Sequence, residues 1–484
     1  MMRSLFSGVA GLKTHQTKMD VIGNNIANVN TVGYKAASVT FQELMYQTTQ
    51  SASGANAETG RAGINAKQIG LGVSTGAISN NIATSGASQS TGNPFDIQIS
   101  GDSFFVVSDG SNNYFTRAGA FYVDGAGNLA MTSNGYTVMG WKEDPQKPGT
   151  IVKDTVQRLQ IMSAENTTSA PQATTETYIS GIIDKNSTQL SSENGLAVNV
   201  SFYDNLGYSY IAKYKIFNLA ADNTTPLDEG IYRMELDDIL DSTGTSIKES
   251  LEPKATELKD IVTIGGAEAS PNTVYLKYGK DDGKFKGWAT AADGTFNEVT
   301  EGKDAKIEMK FDVATYPNFK NEVVGKENDI INVSLKESTM YDNNKTSTVA
   351  GHSGDYDGNF AGRKVGTMSG VSVQTDGKIY ASYTNGTTKL LGQIAVANFP
   401  NPSGLEKVGE NLYSATLNSG TFDGIGQDVT ADGGGMSTGV LEMSNVDLSS
   451  EFTEMITTQR GFQANSRIIT VSDSMLEELT NLKR

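Results

Sequence analysis

The chain has no cysteine and only two histidines in 484 residues. Without cysteine it can form no disulfide, no thiolate metal site and no thiol nucleophile. The histidines, His15 and His352, lie in different segments, and neither has a carboxylate at metal-ligand spacing. No segment approaches 18 consecutive apolar residues, so we expect no membrane-spanning helix. The beginning of the sequence also lacks the continuous apolar stretch of a cleaved signal peptide.

Motifs for catalysis and ligand binding are missing as well. The segment 355–359, Asp-Tyr-Asp-Gly-Asn, resembles the opening of a calcium loop. Phe360 and Gly366 occupy its sixth and twelfth positions, where Gly and Glu are needed, so we interpret it as a turn. No phosphate loop, dinucleotide fingerprint or Gly-x-Ser-x-Gly elbow occurs. We therefore predict no catalytic residue, no metal site, no cofactor and no enzymatic activity.

The net charge of −17 is unevenly distributed along the chain. Residues 1–70 contain six Lys or Arg and three Asp or Glu, a sum of +3, whereas residues 441–484 contain four and seven, a sum of −3. The whole excess of −17 therefore belongs to residues 71–440. An acidic middle argues against binding to nucleic acid or to an anionic membrane, because both need basic patches.

Apolar residues recur at heptad spacing at both ends of the chain. Such spacing predicts a helix with one apolar seam, which is buried only against another helix. The residues of the N-terminal stripe are Leu5, Val9, Leu12, Met19, Ile22 and Ile26. Those of the C-terminal stripe are Leu448, Phe452, Met455, Phe462, Ile469 and Leu476. We predict that the two helices pair as a coiled coil in an assembled polymer.

The seams are weak, because Gln16, Gly23, Gln459 and Ser466 interrupt them. Ordinary amphipathic helices that cap a globular domain would show the same periodicity. Helices with such seams gain most from several neighbours at once, so we expect both ends to be largely disordered in an isolated monomer and ordered on assembly.

Residues at the helix ends predict where the two helices stop. The asparagine-rich run after Ile22 should end the first helix near Val29 to Thr31. Asp447 is a candidate N-cap of the last helix, with Glu451 and Glu454 in its first turns. Lys483 and Arg484 would suit its negative end.

Between the ends the apolar period changes to two, which is typical of strands. The clearest hairpin has alternating apolar residues over 196–202 and 208–216 around a turn at 204–207, and a similar strand covers 307–313. We predict a mainly β fold of discontinuous antiparallel β-domains inserted between the terminal helices. The predicted segments are 1–35 (helix and asparagine-rich run), 36–71 (extended connector), 72–145 with 351–440 (discontinuous β-domain), 146–350 (inserted outer β-domain or domains) and 441–484 (last helix).

Three blocks resemble the bacterial flagellar rod and hook family. The first is the asparagine-rich run, whose signature residues are Asn24, Asn25, Asn28, Asn30, Thr31, Gly33, Tyr34 and Lys35. The second block is similar over 92–105 and 115–121, and the third over 439–452 and 459–467. Within the family, rod members carry little between their ends, whereas hook members insert further β-domains. The insertion of about 200 residues resembles that of the hook members.

The resemblance implies a structural subunit of a curved, flexible tube that transmits torque from rod to filament for motility. It implies export through the flagellar type III apparatus and a location outside the cell in the hook and basal body. The implied partners are further copies of the chain, the hook cap, the distal rod and the hook–filament junction proteins. A distal rod or hook-associated protein of the same family is the alternative, and a secreted adhesin or enzyme is a weaker one.

Overall fold

A computed structural model describes residues 2–54, 60, 62–220, 224–250, 257–266, 272–299, 305–312 and 330–482. The fold is mainly β with a long helix at each end, as the sequence predicted. The helices are α1 (Met2–Ala27), a one-turn α2 (Ile247–Ser250) and α3 (Leu448–Asn481). Within the described residues, none of these helices combines the length and hydropathy needed to cross a bilayer.

The ends of the long helices follow from local chemistry. The side chain of Asp447 accepts hydrogen bonds from the backbone N–H groups of Ser449 (2.9 Å) and Ser450 (3.4 Å), which confirms Asp447 as the N-cap of α3. The first helix ends at Ala27, slightly before the predicted range. At this end the side-chain amide of Asn28 donates to the backbone carbonyl of Asn24 (2.9 Å) and to its Oδ1 (3.0 Å), which competes with continuation of the helix. Lys483 and Arg484 lie outside the described residues.

The chain divides into two compact units. The first unit comprises Met1–Thr167, Ser369–Ser382 and Thr388–Arg484, and the second comprises Thr168–Met368 and Tyr383–Thr387. The strands of the first part of the first unit are β1 (Ala37–Glu43), β2 (Tyr46–Gln50), β3 (Lys67–Gly70), β4 (Val73–Asn80), β5 (Ser88–Ser90), β6 (Ile97–Ser100), β7 (Phe104–Ser108), β8 (Asn113–Thr116), β9 (Phe121–Val123), β10 (Leu129–Met131), β11 (Thr137–Lys142) and β12 (Gln157–Arg158).

The other strands lie in the second unit and in the later segments of the first unit. Those of the second unit are β13 (Thr168–Ser169), β14 (Glu176–Ile182), β15 (Leu196–Tyr203), β16 (Ser209–Phe217), β17 (Ile231–Leu240), β18 (Val262–Ile264), β19 (Thr273–Tyr278), β20 (Phe285–Ala289), β21 (Asn297–Glu298), β22 (Ile307–Phe311), β23 (Ile330–Ser334), β24 (Ser338–Thr339) and β25 (Ala350–Ser353). The remaining strands are β26 (Gly366–Val373), β27 (Lys378–Tyr383), β28 (Thr388–Ile394), β29 (Val396–Ala397), β30 (Glu406–Gly409), β31 (Leu412–Ser414), β32 (Gly435–Thr438) and β33 (Val440–Glu442).

The first unit is built around a sheet in which β27, β28, β11, β7, β8, β31 and β30 are successive neighbours. All five residues of β7 are buried, because both faces of this strand are covered. Aromatic edges meet in the core: the ring centroids of Phe115 and Phe399 lie 4.7 Å apart, and those of Phe104 and Tyr413 5.7 Å apart. The predicted extended connector, 36–71, instead forms β1, β2 and β3, with β1 paired to β4 and β2 paired to β3.

The second unit contains two six-stranded sheets that share one core. One sheet has the order β18, β22, β23, β14, β24, with β25 on β14, and the other runs β15, β16, β17, β19, β20, β21. The predicted hairpin is confirmed as β15 and β16, with Val200 opposite Ala212. The predicted strand at 307 is β22, and its last predicted residue, 313, lies outside the described residues. Since Phe202 and Phe311 of the two sheets are in ring contact at 5.7 Å, residues 168–368 form one unit rather than two.

The unit boundaries fall later than those predicted at 145/146 and 350/351. The charged stretch 142–149 is a loop that returns to the same sheet, because β12 pairs with β11. Residues 146–167 therefore belong to the first unit. Similarly, β25 pairs with β14, so residues 351–368 belong to the second unit.

Candidate functional site

The two terminal helices pair with each other in an antiparallel arrangement within one chain. Near the start of α1, a Cβ added at Gly8 would lie 3.4 Å from Cγ1 of Ile469 in α3. Farther along, Nζ of Lys18 lies 3.0 Å from Oε2 of Glu454, nearer the beginning of α3. Residue numbers rise along α1 as they fall along α3, so the helices run in opposite directions. The sequence predicted both helices and their pairing, and the structure places this pairing inside a single copy.

Small and polar side chains line the contact between the helices. A Cβ at Gly11 would lie only 2.6 Å from Nδ2 of Asn465, and one at Gly461 would lie 2.7 Å from Cε1 of His15. The fully buried positions of α3 are Thr458 and Ser472. Because these side chains are short, the helix backbones approach closely, and the contact depends on fit more than on apolar area.

The predicted apolar stripes lie only partly in this contact. In the N-terminal stripe Ile22 is buried, whereas Val9 is 53% exposed. The half-buried members of the two stripes are Leu5, Leu12, Met19, Ile26, Met455, Phe462, Ile469 and Leu476. Leu448 and Phe452 of the C-terminal stripe are exposed. Three of the polar residues expected to weaken the seams, Gln16, Gly23 and Gln459, are exposed rather than inside the contact, and Ser466 is half-buried.

Large apolar side chains also project from the outer faces of both helices. Phe6 of α1 is 66% exposed, and it lies on the same face as Val9. The exposed apolar residues of α3 are Leu448, Phe452, Ile456, Ile468, Val471, Met475 and Leu479. An apolar surface that extends along a rod in this way is typical of a surface that contacts another protein.

His15 packs at the edge of the helix pair. Its ring meets that of Phe41 of β1 edge to face, with centroids 5.6 Å apart. Burial, and next the charge of Lys18, lower the pKa of His15 below its usual value. In the described part of the chain, no group of three or more His, Cys, Asp or Glu residues is placed to hold a metal ion.

The asparagine-rich signature forms a hydrogen-bonded junction below the helix pair. The side chain of Asn25 donates to the carbonyl of Ala37 (2.8 Å) and to Oε1 of Glu451 (2.9 Å), and its Oδ1 accepts from the hydroxyl of Tyr34 (3.1 Å). Burial, and next the charge of Glu451, raise the pKa of Tyr34. Gly33 has a φ of +69°, and a Cβ there would lie 2.7 Å from the backbone nitrogen of Ala118.

The other signature residues lie around this junction. Asn24 and Asn28 bond to each other, and Thr31 donates to Oδ1 of Asn28. Asn30 is exposed at the turn. Lys35 is buried, with about 1% of the residue exposed.

Lys35 belongs to a buried charged cluster with Glu442 and Arg117, which we call the charge node. Nζ of Lys35 donates to Oε1 of Glu442 (2.8 Å) and to the carbonyl of Thr84 (2.7 Å). Nε of Arg117 lies 3.5 Å from Oε2 of Glu442, which is ion-pair distance but too long for a well-formed hydrogen bond. Burial lowers the pKa of Lys35, although the hydrogen bond from Lys35 to Glu442 opposes this shift.

Sequence reasoning missed Arg117, Glu442 and Asn445. Asn445 accepts from the backbone N–H of Ala36 (2.8 Å) and donates to the carbonyl of Asn81 (2.8 Å). All three lie within blocks that resemble the rod and hook family, so this resemblance could have identified them as candidate site residues. What the sequence does not give is the pairing, because Lys35 and Glu442 come from opposite ends of the chain.

Comparison with known proteins supports an assignment to the axial structures of the flagellum. The model of the flagella basal body rod protein matches residues 5–35, and that of the flagellar hook protein FlgE/F/G D1 domain matches residues 98–176. The model of the flagellar basal body rod FlgEFG protein C-terminal region matches residues 437–482. These matches include α1 with its signature, much of the first unit's sheet, and α3. They define the class of the chain as a flagellar rod or hook protein.

Whole-chain relatives narrow this class. The chain is 32% identical to the flagellar hook protein FlgE of Treponema pallidum (strain Nichols), with 100% of both chains covered. It is 35% identical to the flagellar hook protein FlgE of Borreliella burgdorferi, again with 100% of both covered. The flagellar basal-body rod protein FlgG of Bacillus subtilis (strain 168) matches at 28% over 100% of both chains. The chain belongs to the flagellar hook protein family and is a structural protein of the flagellar hook.

Proposed function

We propose that copies of this chain polymerise through the outer faces of α1 and α3 into the hook, a curved tube that transmits torque from rod to filament. The observation that carries the proposal is the row of exposed apolar side chains along a helix pair whose inner contact is already formed. Phe6, Val9, Phe452, Ile456 and Val471 are all at least half exposed. Burying such side chains against neighbouring copies is favourable by roughly 1.5–3 kcal/mol for each side chain that becomes fully buried.

The predicted site residues have two roles in this proposal. Ile22, Met455, Phe462 and Ile469 hold the pair together within a copy, whereas Val9, Leu448 and Phe452 face neighbours. The acidic residues of the middle of the chain suit a solvated exterior of the tube. The expected further partners are the distal rod, the hook cap, the hook–filament junction proteins and the flagellar type III export apparatus, through which the chain would leave the cell.

Removal of α3 tests the role of the helix pair. A chain ending at Asp447 keeps Glu442 and Asn445, so the first unit retains its charge node and its junction with Ala36. We expect this truncated chain to fold, as judged by circular dichroism, and to remain in the supernatant under conditions in which the full chain sediments as filaments. Filaments of the truncated chain would contradict the proposal.

A matched pair of full-length variants separates assembly from folding. Val471→Asp changes a side chain that is 56% exposed on α3, and Tyr208→Asp changes one that is 59% exposed in the second unit. Both should leave the thermal unfolding midpoint nearly unchanged, because neither side chain is in a core. Only Val471→Asp should raise the protein concentration needed for filaments to form. Equal effects of the two variants would mean that α3 has no special role.

The second candidate is a rod subunit, which the full-length similarity to the rod protein FlgG supports. Immunogold electron microscopy of whole cells with antibody against residues 180–340 distinguishes the two. Label on the short curved segment between envelope and filament is expected for a hook subunit. Label confined to the basal rod would assign the chain to the rod instead.

A further inference from the structure

Three asparagines of the chain are followed directly by glycine, the sequence in which asparagine deamidates most readily. They are Asn134, Asn194 and Asn385, and each lies in a turn. In such a pair the backbone nitrogen of the glycine can attack the side-chain carbonyl carbon of the asparagine, because glycine has no side chain to obstruct the approach. The three pairs are chemically alike, so any difference between them must come from their surroundings in the fold.

Asn385 is held at both ends of its amide group. Its Oδ1 accepts hydrogen bonds from the backbone N–H (3.1 Å) and the hydroxyl (2.6 Å) of Thr387. Its Nδ2 donates to the carbonyl of Lys364 (3.0 Å), and the residue is half-buried. Since Cγ must turn towards the nitrogen of Gly386 before the attack, these bonds oppose the reaction.

Asn134 is held by one hydrogen bond and is shielded from water. Its Oδ1 accepts from the backbone N–H of Tyr136 at 3.0 Å. Its Nδ2 is buried. Because this nitrogen must take up a proton in order to leave as ammonia, its shielding from water also opposes the reaction.

Asn194 has neither form of protection. The residue is exposed, and within the described part of the chain its side chain forms no hydrogen bond. The backbone N–H of Gly195 donates to the carbonyl of Ser192 at 3.1 Å, and the corresponding bonds of Gly135 and Gly386 are 2.9 Å long. All three glycine N–H groups are therefore bonded, and the sites differ mainly in the asparagine side chains.

We propose that Asn194 is a site of spontaneous deamidation in the folded chain, whereas the fold protects Asn134 and Asn385. The nitrogen of Gly195 loses its proton and bonds to Cγ of Asn194, the bond from Cγ to Nδ2 breaks, and ammonia leaves. Water then opens the cyclic imide. Attack of water at Cγ leaves an ordinary aspartate, and attack at the main-chain carbonyl carbon leaves an isoaspartate, whose main chain runs through Cβ and Cγ. Either product carries a negative charge that asparagine lacks.

The isoaspartate would disturb the start of β15. Its extra main-chain atom precedes Gly195, which has a φ of +63° and where a Cβ would lie 2.8 Å from the ring of Phe217. The next residue, Leu196, forms the first pair of β15 and β16 with Ile216. We therefore expect this product to loosen the end of the hairpin and to destabilise the second unit. The reaction needs only water, so the inference is independent of polymerisation.

Peptide mass spectrometry of the natural chain tests the assignment. Trypsin releases the three asparagines in separate peptides, 118–142, 186–213 and 379–389. The folded chain is kept at mildly alkaline pH, where more of the glycine nitrogen is deprotonated, and the deamidated fraction of each peptide is followed with time. Fragment ions locate the change, and an isoaspartyl methyltransferase assay detects the isoaspartate.

We expect Asn194 to convert at least several times faster than Asn134 or Asn385. Similar rates at the three asparagines, or no conversion of Asn194, would overturn the inference. The same chain unfolded in urea is the control, and there the three rates should become similar. A preference for Asn194 that persists in urea would show that the fold does not protect the other two.

An Asn194→Gln chain tests the effect on β15, because glutamine would have to form a larger ring and reacts far more slowly. After the same incubation, only the natural sequence should show a lower thermal unfolding midpoint, followed by Trp288 fluorescence in a Trp141→Phe background. A fresh Asn194→Asp chain shows the effect of the charge alone, and it should unfold near the midpoint of the fresh natural sequence. Equal midpoints for the incubated natural and Asn194→Gln sequences would contradict the effect on β15.

Discussion

Glu442 is surrounded by two cations and is almost completely buried. Moving a carboxylate out of water costs several kcal/mol, and the cost is offset only if the hydrogen bonds around it are nearly complete. Oε1 is well satisfied, because the backbone N–H of Gly86 donates to it at 3.0 Å in addition to Lys35. Oε2 accepts no hydrogen bond in the described part of the chain and is compensated by the charge of Arg117 at 3.5 Å. The backbone carbonyl of Glu442 also accepts a hydrogen bond from the backbone N–H of Gly33 at 2.8 Å. Glu442 thus fixes both the signature and the start of the C-terminal segment.

Replacing Glu442 tests this role. Glu442→Gln keeps the size of the side chain but leaves Lys35 and Arg117 buried without a carboxylate, so we expect a loss of about 3–5 kcal/mol in the free energy of unfolding. The measurement is urea unfolding in a Trp288→Phe background, followed by the fluorescence of Trp141, which lies in the first unit. Glu454→Gln is the control, since its ion pair with Lys18 is half exposed and should contribute less than about 1 kcal/mol. Similar losses in both variants would contradict the node's role.

At the scale of elements, the sequence predicted what local pattern determines. The type and approximate bounds of both long helices, the cap at Asp447 and the hairpin of β15 and β16 all follow from residues close together in the chain. The face of α1 that contacts α3 could not be predicted in this way. Heptad spacing identifies a helix face by its apolar residues, whereas this contact contains Gly11 and other small residues. The charge node could not be predicted from the sequence either, since only the tertiary fold brings Lys35 close to Glu442.

Two glycines of α1 allow the close contact to be measured. The Cβ added by Gly23→Ala has no neighbouring atom within 4 Å. We therefore expect the higher helix propensity of alanine to raise the free energy of unfolding by about 1 kcal/mol. Gly11→Ala gains the same propensity but places its Cβ 2.6 Å from the amide of Asn465, so the gain should vanish or reverse. Urea unfolding gives both values. Adding Asn465→Ala to Gly11→Ala should recover part of the difference, and equal gains at the two glycines would show that the helices are not in close contact.

At the scale of the whole molecule, each unit has its own core and its own tryptophan. Trp141 lies in the first unit, and Trp288 lies in the second, where its Nε1 donates to the carbonyl of Lys306 at 3.1 Å. The core of the second unit also buries several tyrosines. Burial, and next the charges of Asp184 and Glu229, raise the pKa of Tyr232 to about 12.

This shift predicts how the second unit responds to alkaline pH. Between pH 10 and about 12 the phenol of Tyr232 stays protonated in the folded chain but ionises in the unfolded one. The folded state then binds more protons, so the free energy of unfolding falls as pH rises, on the order of 1.4 kcal/mol per pH unit from this group. Urea unfolding of a Trp141→Phe chain, followed by Trp288, measures the slope. Adding Tyr232→Phe should make the slope shallower, and an unchanged slope would be evidence against the shift.

The pairing of α1 with α3 also sets an order of events in time. Roughly 420 residues separate the two helices, and synthesis at about 5–20 residues per second would take on the order of 20–80 s to cross that distance. During this interval α1 exists without its partner, and a solitary helix of its length is marginal in water. The earliest helix of the chain is therefore the last to become stable, and until then its exposed Phe6 and Val9 are open to any other protein that the chain meets.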